Sequence, residues 1–116
     1  MEITLGGNKY ELKMTLKNLK NFGLVPGNTE NNIDLMSDTI SGLLTGDPFA
    51  LSTSLGKLLE KDGVKQTEID AGLESADNLD ELFDKVEDFF ETSPLTKKMA
   101  LKVATPMKAK LASLDK

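Results

Sequence analysis

The chain has 116 residues, the size of one domain, with net charge −5, five Phe, one Tyr and no Trp. It has no Cys and no His, which excludes disulfides, thiolate metal sites and an imidazole general base. All fourteen basic residues are Lys, so the guanidinium fork preferred for phosphate is missing, and the acidic balance disfavours a DNA-binding role.

No apolar run approaches the ~18–20 residues of a membrane span, and the first residues lack the basic and apolar regions of a signal peptide. The expectation is a soluble cytoplasmic protein without a membrane partner. The charge is uneven: residues 1–65 carry net −1, residues 66–91 net −9 and residues 92–116 net +5. An acidic block followed by a basic tail predicts contact between them, within one chain or between copies, or else two solvated helix faces of opposite sign.

Residues 2–14 read as a β-hairpin, with Glu2-Ile3-Thr4-Leu5 and Tyr10-Glu11-Leu12-Lys13-Met14 alternating around Gly6-Gly7-Asn8-Lys9. A turn at Gly7-Asn8 sets Leu5 opposite Tyr10, Ile3 opposite Leu12 and Glu2 opposite Lys13. Ile3, Leu5, Tyr10 and Leu12 then share one apolar face. A lone hairpin is unstable, so this face must lie on helices or join another chain's sheet, which makes the four residues candidates for homo-oligomerisation.

Thr15 can cap a short helix, Leu16 to Phe22, with Leu16, Leu19 and Phe22 inward and Gly23 ending it. Leu24 to Asn32 has a Pro-Gly turn signal and no periodicity, which predicts a mobile loop. Ile33, Met36, Ile40, Leu43 and Leu44 follow at helical spacing, closed by Gly46. Asp47-Pro48 opens the next helix, Asp as N-cap and Pro at the first position, with Phe49, Leu51, Leu55, Leu58 and Leu59 before Gly63. With almost no linker the two should form a tight corner. Thr67 to Asp70 looks like the cap and acidic first turn of a short helix that buries Ile69 and Leu73.

The strongest signal runs from Asp77 to Pro94. Leu79, Leu82, Phe83, Val86, Phe89 and Phe90 recur at steps of three and one, which places them on one helix side. Asp80, Glu81, Asp84, Glu87, Asp88 and Glu91 take the other. Asp77 suits the N-cap and Ser93-Pro94 the end. This helix is either the centre of the core or a surface on which a partner packs. Beyond Pro94, Leu95, Met99 and Val103 lie on one side, Pro106 breaks or kinks the run, and the last residues form a basic, partly mobile tail. The fold class is therefore mainly α (α+β): five to six short helices behind a hairpin, as one domain with hairpin 2–14, helical body 15–92 and tail 93–116.

Nineteen carboxylates invite a metal or acid–base reading, but no window has the ligand spacing of a calcium loop, and the ladder along residues 77–88 reads as a solvated face. No glycine-rich phosphate loop is present, and without His only Lys could activate a Ser or Thr. These patterns point away from an enzyme and imply no cofactor and no metal. The acidic helix could instead imitate a nucleic-acid backbone for a basic partner.

Three stretches carry a resemblance that spans nearly the whole chain. MEITLGGNKYELKMTLKNLKNFG is a short hairpin running into a helix, LLTGDPFAL a Gly-Asp-Pro corner between helices, and LDELFDKVEDFFETSPLTKK an acidic helix followed by Ser-Pro and a Lys-rich tail. In this order and spacing the chain resembles the tail assembly chaperones of long-tailed, siphovirus-type phages that infect Gram-positive bacteria. Leu24 to Asn32 matches nothing in that pattern. The resemblance implies no catalytic activity. It implies binding to the phage tape-measure protein, which such chaperones hold until tail-tube subunits polymerise, in the host cytoplasm and not in the mature virion. A longer, frameshifted form that recruits the tail-tube protein is typical of the family.

Such a role needs an apolar groove of helical shape on a charged exterior, and many weak contacts. Phe89, Phe90, Leu95, Met99 and Val103 are the residues expected to line it, Met being suited to varied partners; ordinary core packing is the competing reading for all five. The alternative to a chaperone is a structural or connector protein of the head–tail junction.

Overall fold

The computed structural model describes residues 1–114. Its fold is mainly α, six helices behind a two-stranded antiparallel hairpin, β1 (Glu2–Leu5) and β2 (Asn8–Glu11). Gly6 and Gly7 form the turn, at φ 59° and 80°. Two successive positive-φ residues match the twist of a two-residue hairpin, and only glycine takes both positions without strain. The turn therefore lies one residue earlier than Gly7-Asn8. Ile3 faces Tyr10, Leu5 faces Asn8 and Glu2 faces Glu11, in place of the expected partners. The pairing moves by two residues, so the same side chains keep the same face. The unfavourable Glu2–Glu11 juxtaposition is relieved by the N-terminal ammonium, 3.0 Å from Glu11.

Helix α1 (Leu16–Phe22) starts on the Thr15 hydroxyl, which accepts from the Asn18 N–H at 3.0 Å. Leu16 does not turn inward; it is exposed. Asn18 is buried instead, its amide donating to the Lys13 carbonyl at 2.7 Å, and this rotates the inner line to Asn18, Leu19 and Phe22. The following loop is shorter and more constrained than its composition predicts. Helix α2 (Thr29–Thr45) already begins at Thr29, capped by Asn28. Asn32 then reaches back to clasp both the N–H and the carbonyl of Val25, at 2.8 and 3.0 Å. Asparagine side chains that bind local backbone replace the apolar contacts that periodicity detects.

Helix α3 (Pro48–Leu59) begins on Asp47, whose carboxylate accepts from the Phe49 N–H at 2.9 Å. A 3-10 turn at Glu60–Asp62 leads to Gly63. Helix α4 (Gln66–Glu74) starts one residue ahead of the expected Thr67 cap and has no side-chain cap. Helix α5 (Leu79–Thr92) follows, and α6 (Lys97–Leu114) completes the described chain. Asp77 does not cap α5. The cap position is Asn78, whose amide donates to the Thr4 carbonyl at 3.3 Å and ties the helix start to β1.

The architecture is centred on α2, which packs against α3, α5 and α6. One buried apolar cluster extends from the hairpin to α6. The hairpin lies on α4, where Gly72 lets the strand approach closely: a Cβ at this position would stand 2.8 Å from Leu5 Cγ. Helix α6 is continuous through Pro106 and is not broken there. The missing N–H would have served the Lys102 carbonyl. Lys102 and Pro106 are both exposed, so that carbonyl can be hydrated. The tail predicted to be partly mobile, 93–116, is helical from Lys97 to Leu114; its last two residues, 115–116, lie outside the described residues. Among the described residues no helix is long and apolar enough to cross a membrane.

Candidate partner-binding groove

The five residues expected to line a groove separate into three environments. Phe89 and Phe90 are core side chains. Their rings meet edge to face at 6.4 Å, and Phe90 meets Phe22 in the same way at 5.3 Å. Neither can touch a partner while the chain is folded. Leu95 is exposed but sits on the α5–α6 connection, apart from the other two. That connection is held by two buried hydroxyls: Ser93 donates to the Phe89 carbonyl and Thr96 to the Phe90 carbonyl, both at 2.7 Å. With Ser93 and Thr96 turned in, Leu95 is left pointing out.

Met99 and Val103 do line a groove, between α2 and α6. Its volume is about 390 Å³ and its other lining residues are Ile33, Ser37, Lys102, Pro106, Met107 and Lys110. The helical spacing explains the arrangement. Ala100 and Ala104 are fully buried and form the line on which α6 rests. Their small side chains let α6 lie close along α2. The neighbouring line, Met99, Val103 and Met107, recurs every four residues and is only half-buried. Ile33, expected in the core, is 44% exposed and forms the facing wall of α2.

The groove residues that sequence reasoning missed are Ile33, Ser37, Lys102, Pro106, Met107 and Lys110. The usable signal was the pair Ala100 and Ala104. In α6 this small-residue line at i, i+4 is the buried side, and the larger apolar residues lie beside it.

A second cavity, about 480 Å³, opens where α5 meets the end of α2 and the middle of α6; Leu43, Leu44, Phe83, Asp84, Glu87 and Lys108 are among its lining residues. Glu87 belongs to the acidic side of α5 but is only 6% exposed, because α6 covers it. Lys108 forms a 2.6 Å ion pair with Glu91 and stands 3.9 Å from Glu87 Oε1. Burial, reinforced by the hydrogen bond with Glu91 and its charge, pushes the Glu87 carboxyl up to about 8. Glu91, beside Glu87 and paired with Lys108, is held below the ordinary carboxylate range. Lys108 is raised by its hydrogen bond to Glu91. Among the described residues the ion pairs between the acidic block and the basic tail centre on Lys108.

The residues proposed for oligomerisation lie elsewhere than on a free surface. Ile3, Leu5 and Leu12 are buried and Tyr10 half-buried, all packed into the chain's own core. Of the two outcomes open to the hairpin's apolar face, it lies on helices. Among the described residues no three acidic side chains stand close enough to hold a metal ion. Comparisons with protein-family models, with curated proteins and with solved structures gave no match.

Proposed function

We propose that this chain is a non-enzymatic tail assembly chaperone of a long-tailed phage, which holds the tape-measure protein in solution until the tail tube polymerises around it. The observation that carries the reading is the half-buried apolar line Met99, Val103 and Met107, open to solvent beside α2. A groove between two helices accepts the apolar stripe of a third. The flexible thioethers of Met99 and Met107 let it accept stripes of differing shape. The resemblance along nearly the full length supports the same role. It extends to recruitment of the tail-tube protein by a longer form and to action in the host cytoplasm.

An affinity-tagged copy expressed during infection tests this. The tape-measure protein should co-purify with it before tubes assemble, and mass spectrometry of mature particles should not find the chain. Its presence in purified particles at fixed stoichiometry would make it a structural component, as a head–tail connector is.

A further inference from the structure

The charged side chains that line the α2–α6 groove are both lysines. Lys102, Pro106 and Lys110 recur every four residues and form the outer edge of α6 beside the apolar line. Among the described residues neither lysine has an ion-pair partner, whereas Lys108, between them in sequence, is held by Glu91. On the opposite wall Ile33 and Ser37 line the groove, and the α2 carboxylates Glu30 and Asp34 do not. A chain of net charge −5 thus sets a basic edge along its open apolar groove.

We propose that the groove takes an amphipathic helix whose apolar stripe is edged by carboxylates on the side that meets α6. The identity of the partner as the tape-measure protein rests on the reading above; its chemistry rests on the groove alone. An apolar stripe seated on Val103 between Met99 and Met107 brings the residues at its margin beside Lys102 and Lys110. Carboxylates there gain two ion pairs and lysines there meet like charge.

A second copy of this chain does not meet the requirement. The other acidic amphipathic helix, α5, has its apolar face in the core. The remaining large exposed apolar residues, such as Leu16, Phe49 and Leu114, stand on different helices and form no stripe. The α6 line of one copy against that of another, related by a two-fold axis, would gather four lysines at one interface.

Fluorescence anisotropy on the whole chain decides it. The probes are three labelled synthetic helical peptides with one shared apolar stripe and margins of Glu, Gln or Lys. The Glu peptide should bind about three- to tenfold tighter than the Lys peptide, the span that two exposed ion pairs allow. The gap should close as salt is raised, and the double variant Lys102→Glu, Lys110→Glu should invert the order. Both substitutions are on the solvent edge, and a thermal melt verifies that the variant folds. Equal affinities, a preference for the Lys peptide, no binding by any of the three, or an order unchanged in the double variant would each overturn the proposal. So would light scattering that finds a dimer dispersed by Val103→Asp. Failure of the tape-measure protein to co-purify with the wild-type chain strikes the parent reading only and leaves the peptide order standing.

Discussion

Phe89 and Phe90 adjoin in sequence and are both buried, whereas Phe49, the one aromatic of α3, is 80% exposed. Truncation should separate them. Phe90→Ala removes a ring packed against two others and should cost ~3–5 kcal/mol in denaturant unfolding. Phe49→Ala should stay within about 0.5 kcal/mol of wild type. Near-equal losses would mean that Phe49 is covered in solution.

Glu87 makes a second residue-scale test. Folding raises its pKa from 4.5 to about 8. Between those values the folded chain holds a proton that the unfolded chain releases. Its contribution to stability is therefore complete below 4.5 and is lost as pH rises through about 8. Burial is the main cause of this shift; the charges of Glu91 and Asp88 on α5 add to it, and Lys108 on α6 opposes it. Melting temperatures from pH 5 to 8 should fall in the wild type. They should fall less in Glu87→Gln, whose amide does not titrate. An unchanged slope would show that another group is titrating.

At the scale of elements, helix α6 concentrates the outcome. Pro106 lies inside a continuous helix, where it forgoes a backbone hydrogen bond. Pro106→Ala should raise stability by ~1–3 kcal/mol, read as a higher denaturant midpoint. No gain would mean that the last two turns are not helical in solution. What the sequence made legible followed periodicity and caps. The hairpin face, the Thr15 and Asp47 caps, the Asp47-Pro48 corner and the inner face of α5 all stand where spacing puts them. What it concealed depends on neighbours in space. Ile33, Leu16 and Phe49 match helical spacing but are exposed; for Ile33 the reason is that α6 rests on Ala100 and Ala104 and leaves the edge beside α2 open. Glu87 reads as one more solvated carboxylate until α6 is laid over it. The turn at Gly6-Gly7 was written in the sequence, but the choice between two adjacent dipeptides depended on positive φ at both positions. Of the five residues expected to line a groove, Met99 and Val103 do so, and the helix that completes it is α2, which periodicity alone could not select.

For the whole molecule, the proposed function assigns the groove on α2 and α6 and the charge around it to holding an aggregation-prone helical chain. A single groove of about 390 Å³ covers only part of a long helix, so retention of such a chain depends on several copies acting together. The most direct measurement is the soluble fraction of the cognate tape-measure protein when it is co-expressed with this chain, followed by size-exclusion chromatography with light scattering. The account predicts a soluble complex with many copies of this chain per tape-measure chain, lost with Val103→Asp while that variant keeps its fold. A tape-measure protein that stays insoluble while the wild-type chain elutes alone would contradict it.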